Sequence, residues 1–104
     1  MCLYVSSEVV LANLLSKKNG ATSEEISSYC KQLREALNEH GHDRAVYINV
    51  NEQEIDHALS KYCKEFRLFQ GRYFMNDGVN IARFNARFDD EVIGTFSNLE
   101  LAIN

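Results

Sequence analysis

Apolar residues recur along this chain with two periods, and short polar signals separate one stretch from the next. Val10, Leu11, Leu14 and Leu15 form one stripe and predict a helix over about residues 7–18, stopped by Asn19-Gly20. Ile26, Cys30, Leu33 and Leu37 fall on one face of a 3.6-residue period, which predicts a second helix over 23–40, ended by Gly41. Ile55, Leu59, Tyr62, Cys63 and Phe66 predict a third over 52–65. Its acids come first (Glu52, Glu54, Asp56) and its lysines last (Lys61, Lys64), an order that suits the helix dipole.

The helix starts share a grammar. Thr22…Glu25 is a capping box in which the hydroxyl takes the N3 amide and the carboxylate reaches back. Ala21 and Ile26 flank it as an apolar staple. Asn51…Glu54 repeats the pattern with Val50 and Ile55, and Ser97…Glu100 repeats it with Phe96 and Leu101. Ser6, between Val5 and Val10, is a fourth start without a Glu at N3.

Strands fill the remainder. Val46, Ile48 and Val50 alternate along 45–50, and residues 2–5 read as a further edge strand. The aromatic-rich run 66–75 is interrupted by Gln70-Gly71, which makes it a bulged strand or a short hairpin. Asn76-Asp77-Gly78 is a turn signal. Residues 79–88 and 91–96 read as two more strands joined by Asp89-Asp90. Ile81, Phe84, Phe88 and Val92 also fit helical spacing, so 81–92 has a helical alternative. The resulting expectation is an α+β fold with helices packed on one face of a small antiparallel sheet, in the order (β)ααβαβββα. No repeat or linker divides residues 1–104, which read as a single domain.

Composition narrows the class. The chain has 104 residues, 45% hydrophobic and 25% charged, with no proline. That is ordinary for a globular protein. No apolar run approaches the roughly 18–20 residues that span a bilayer. The first ten residues lack a basic region and carry Glu8 among their apolar positions, unlike a secretory signal. Cys2, Cys30 and Cys63 are odd in number and lack framework spacing, which points to a reducing, cytoplasmic compartment. An odd cysteine and an edge strand leave a homodimer open.

The net charge of −4 conceals a separation. Residues 1–66 hold seven Lys/Arg against ten Asp/Glu. Residues 67–88 hold Arg67, Arg72, Arg83 and Arg87 against Asp77 alone. Residues 89–104 hold four acids and no base. Arg83 and Arg87, four apart on one strand, would share a face, and Arg72 would lie on the neighbouring strand near Tyr73 and Phe74. A basic sheet face with interleaved aromatics can hold phosphates and stack bases. The alternative is a solvated face whose arginines pair with Asp89, Asp90 and Glu91.

Three segments carry a local resemblance. Asn80-Ile-Ala-Arg-Phe84, Asp90-Glu-Val-Ile-Gly-Thr-Phe96 and Ser97-Asn-Leu-Glu-Leu-Ala-Ile103 together resemble the end of an AP2-type DNA-binding unit, as found in plant transcription factors and phage integrases. The resemblance spans residues 72–103. It implies a three-stranded sheet backed by a helix, with Arg72, Arg83 and Arg87 facing DNA. A winged-helix reading would make 52–65 the recognition helix, but Glu52, Glu54 and Asp56 at its start would repel phosphates.

Catalytic and metal chemistry are hard to assemble. His40, His42 and Asp43 form a polar knot without the spacing of a metal site, so neither a metal nor a cofactor is expected. Cys30 and Cys63 lie on apolar stripes. His57 is a lone candidate base, and an enzyme would need a dispersed site. The expectation is instead a non-enzymatic binding module. Glu24, Glu25, Glu35 and Glu39 on the second helix and Glu52, Glu54 and Asp56 on the third would form an acidic face for a basic protein partner. Small acidic inhibitors, immunity proteins, antitoxins and anti-defence inhibitors act in this way. Nucleic-acid binding by Arg67, Arg72, Arg83 and Arg87 is the alternative.

Overall fold

The computed structural model describes residues 3–40, 45–48 and 50–103, with the side chain of His40 left aside. Gly41, His42, Asp43 and Cys2 lie outside the described residues, and so does the question of a polar knot at that turn. The elements run β1 (Leu3–Val5), α1 (Ser7–Lys17), α2 (Ser23–His40), β2 (Val46–Ile48), α3 (Glu52–Lys61), β3 (Phe66–Phe69), β4 (Arg72–Met75), α4 (Ile81–Asn85) and α5 (Asp90–Ile103).

The α+β class is as expected, and the elements follow the expected order as far as β4. Beyond it the chain departs from the meander. Residues 81–85 and 90–103 are helical, so the helical alternative over 81–92 describes this region, broken only at residues 86–89. The physical reason lies in the caps. Asn80 accepts the Arg83 amide at 3.1 Å, and Asp89 accepts the Glu91 amide at 2.8 Å. The Asp89-Asp90 pair therefore opens a helix and does not turn between strands. Ser97 sits inside α5 and starts nothing.

The strands also differ from a single antiparallel sheet. β1 and β2 pair in parallel, Leu3 opposite Val46 and Val5 opposite Ile48. β3 and β4 form a separate antiparallel hairpin, Phe66 opposite Met75 and Phe69 opposite Arg72. Gln70 and Gly71 at its tip have φ of 51° and 75°. Two left-handed residues in a two-residue loop match the twist of the flanking strands.

Helix α1 is the centre of the molecule. Val9, Val10, Leu11 and Ala12 are fully buried, so the helix is enclosed on more than the one stripe its leucines mark. Asn13, also buried, makes three side-chain hydrogen bonds. Its amide donates to the Val9 carbonyl at 2.8 Å, and it exchanges hydrogen bonds with Asn85 at 3.1 and 3.2 Å. That exchange pins α4 to α1. Phe66, Phe84 and Tyr62 meet edge to face, with centroids 5.2 to 6.4 Å apart, and join the hairpin to α3 and α4.

The expected caps of α2 and α3 form. The Glu25 amide donates to the Thr22 hydroxyl at 3.2 Å, and the Thr22 amide returns to the Glu25 carboxylate at 3.3 Å. The Glu54 amide donates to the Asn51 side chain at 2.9 Å. Before α2, Ala21 bridges to Tyr73 through hydrogen bonds of 3.0 and 2.8 Å. Gly20 makes that close approach workable, because its φ is 87° and the Phe74 ring lies where a side chain would start. Glu100, expected in a cap, is instead a buried link between helices. It accepts from the Tyr29 hydroxyl at 2.5 Å and pairs with Lys17 at 2.7 Å. Burial first, and the Glu100 carboxylate second, push the Tyr29 phenol well above its ordinary range.

Candidate functional site

The four arginines do not converge. Arg72 pairs with Glu25 at 3.3 Å, and Arg87 pairs with Glu65 at 3.2 Å while lying 5.3 Å from the Phe84 ring centroid. Arg67 lies 4.9 Å from the Phe74 centroid and donates to the Asn76 side chain at 3.1 Å. Arg83 is exposed on α4 and makes no ion pair among the described residues. Arg83 and Arg87 belong to a helix and the turn after it, so they do not share a strand face. Arg72 pairs with Glu25 and Arg87 with Glu65, neither of them one of the tail acids Asp89, Asp90 and Glu91.

The carboxylates behave differently. Glu25 is engaged with Lys18 and Arg72, holding the hairpin to the start of α2. Glu24, Glu35, Glu39, Glu52, Glu54 and Asp56 make no ion pair among the described residues. Glu24, Glu35 and Glu39 are exposed along α2, with Lys31 among them on the same helix surface. The acids that start α3 divide between two sides. Burial raises the Tyr73 phenol above its ordinary range, and Asp56 and Glu52 add to that rise. Glu54, about half a helical turn away from each, looks the other way, toward Tyr4. The expected acidic face is therefore not one patch.

What Glu54 does join is a groove of about 450 Å³ where the start of α1, the length of α3 and the approach to α5 meet. Tyr4, Glu8, His57 and Asp89 also line it. Glu8 is only 8% exposed, yet it has no hydrogen bond or ion pair among the described residues. Ser6 precedes α1 in the N-cap position but its hydroxyl makes no cap hydrogen bond, and that oxygen is buried without a partner among the described residues. The adjoining Ser7 hydroxyl donates to the Glu54 carbonyl at 3.4 Å and ties α1 to α3. Beside the groove the outward face of the parallel strand pair carries Tyr4 and Tyr47, 47% and 51% exposed, stacked with centroids 5.7 Å apart. Burial, then the carboxylate of Glu54, the neighbouring Tyr47 and Glu8, raise the Tyr4 phenol above its ordinary range.

Sequence reasoning missed Glu8 and Tyr4. The available signal was a lone carboxylate, Glu8, directly before the apolar run Val9 to Ala12. His57 makes no hydrogen bond to a hydroxyl or carboxylate among the described residues, so no nucleophile and base are paired there. Among the described residues no three His, Cys, Asp or Glu side chains gather as a metal site would require. No described helix is long and apolar enough to cross a membrane. No protein-family model, curated protein or solved structure matches this chain.

Proposed function

We propose that this chain is a non-enzymatic binding module that regulates or inhibits a basic protein partner. One observation carries the reading, the asymmetry of charge pairing. Three of the four arginines are engaged within the fold, whereas six of the seven carboxylates named from the sequence have no ion pair among the described residues. Charges without an internal ion pair set the field that a partner meets, and that field steers association more than it adds affinity.

The test is a capture experiment with the immobilised chain over a range of salt. A bound partner should elute as ionic strength rises, because exposed charges beyond about one Debye length are screened. Charge reversal by Glu24→Lys with Glu35→Lys, or Glu52→Lys with Glu54→Lys, should weaken retention. Glu25 is unsuitable, since its reversal would release Arg72 and Lys18. Retention that ignores both salt and charge reversal would overturn the reading. Nucleic-acid binding has weaker support, because Arg83 alone of the four is without an ion pair or ring contact. Retardation of DNA or RNA that salt weakens and Arg83→Ala abolishes would favour it.

A further inference from the structure

We infer that the groove beside the Tyr4–Tyr47 pair is a receptor for an arginine side chain presented by the protein partner, with Glu8 and Glu54 as its counter-charges. The inference rests on the binding-module reading and gives it a location and a chemistry.

Three observations meet at this place. Glu8 is nine-tenths buried, lines the groove and has no ion pair or hydrogen bond among the described residues. Its position in the first turn of α1 lets the helix dipole favour the charge, but the dipole does not satisfy the carboxylate oxygens. Most of the side chain is covered while its carboxylate oxygens are not shut off from solvent, so they can accept from a ligand's N–H groups without the cost of uncovering them. The second is the Ser6 oxygen, buried at the same wall and unpartnered among the described residues. The third is the pair of stacked, half-exposed tyrosine rings next to these carboxylates.

The chemistry selects arginine. A planar guanidinium stacks on a ring face and donates in a fork to a carboxylate, so one side chain can use both features. An ammonium could pair with Glu8 but would leave the ring faces less well covered. Parallel strands are ordinarily covered on both faces, and here the face bearing Tyr4 and Tyr47 stands open. The lining also holds Lys61 and His57. Lys61 lies 5.5 Å from the Tyr62 ring centroid and Phe88 packs against Phe84, whereas Tyr4 is half-exposed beside the carboxylates and is the ring best placed for a ligand.

The probe is N-acetyl-arginine amide, titrated into the intact protein with the ring signals of Tyr4 and Tyr47 followed by NMR. Saturable shifts at those two rings are expected, with smaller shifts from N-acetyl-lysine amide at the same concentration. Glu8→Gln keeps the shape of the side chain and should weaken binding by about tenfold, the factor that corresponds to about 1.4 kcal/mol. Tyr4→Leu should abolish the preference for arginine over lysine. The inference is overturned if the probe leaves both rings unmoved, if Glu8→Gln and Glu54→Gln bind as the parent does, or if inorganic phosphate shifts the same signals and arginine does not. A partner complex that charge reversal weakens, with no arginine binding here, removes this inference and leaves the module reading standing. Arginine binding here, with a partner complex insensitive to charge reversal, does the opposite.

Discussion

Gly20 is where one added methyl group should cost this fold most for its size. Its φ of 87° lies in the left-handed region, and a Cβ there would meet Cε1 of Phe74 at 2.7 Å and Cζ at 3.0 Å. Gly20→Ala therefore carries two penalties. Left-handed backbone costs a non-glycine residue about 1–2 kcal/mol. Pushing the ring aside also breaks its contact with the Arg67 guanidinium, 4.9 Å away, and overpacking of this kind costs about 1–3 kcal/mol. Together they come to roughly 2–5 kcal/mol. At about 4–8 °C per kcal/mol for a domain near this size, Tm should fall by at least about 8 °C. Two other glycines separate the terms. Gly71 has φ of 75° and open space around it, so Gly71→Ala carries the backbone penalty alone. Gly94 lies within α5 with nothing nearby, so Gly94→Ala should stabilise by about 1 kcal/mol through helix propensity. Thermal and urea unfolding followed by circular dichroism should rank Gly94→Ala above the parent, Gly71→Ala below it and Gly20→Ala lowest. A Gly20→Ala protein that melts no lower than Gly71→Ala would refute the role assigned to the Phe74 ring.

Two further outcomes are expected. The phenols of Tyr29, Tyr73 and Tyr4 are all raised in the folded state, so folding favours their neutral forms. That stabilisation is fully present below about pH 10, where an unfolded tyrosine keeps its proton, and is lost as pH rises beyond it. Urea midpoints should therefore decline above about pH 10, and Tyr29→Phe should flatten the decline; an unchanged slope would contradict the Tyr29–Glu100 account. Cys30 is buried, and burial raises its thiol above the ordinary range, whereas Cys63 is exposed. Brief alkylation of the native protein with peptide mapping should label Cys63 and spare Cys30 until denaturant is added. Equal labelling of the two would show that α2 does not pack as described.

Local signals carried the first three helices well. Thr22 and Asn51 announced their caps because a capping residue acts within its own turn and needs no tertiary context. The same locality misled at Asp89-Asp90 and Ser97. Acidic pairs mark turns and helix starts alike, and a Ser followed by Glu three later also occurs inside a helix. The Asn80 and Asp89 caps open the two helices, and the burial of Phe84, Phe96 and Leu99 in the core, which no local signal shows, holds them. Ala21 shows the same limit, since its bridge to Tyr73 joins residues far apart in the chain. The groove was less legible still. Glu54 was named, but its neighbour Glu8 reaches it through the Ser7 contact between α1 and α3. Arg67 and Arg72 lie on the expected hairpin, whereas Arg83 and Arg87 were misplaced because their shared face was inferred from a strand that is a helix and a turn.

The parallel pairing of β1 with β2 also bears on how the chain reaches this state. Leu3 finds Val46 only across the whole of α1 and α2, so the pair closes a long loop before any of its hydrogen bonds form. The β3–β4 hairpin closes across two residues and can form on its own timescale. The meeting of β1 and β2 therefore carries the larger loop-closure entropy of the two pairings, and the tyrosine stack comes into being only with it. A change that parts β1 from β2 while leaving the helices and the hairpin in place would therefore remove the surface through which the protein is proposed to act.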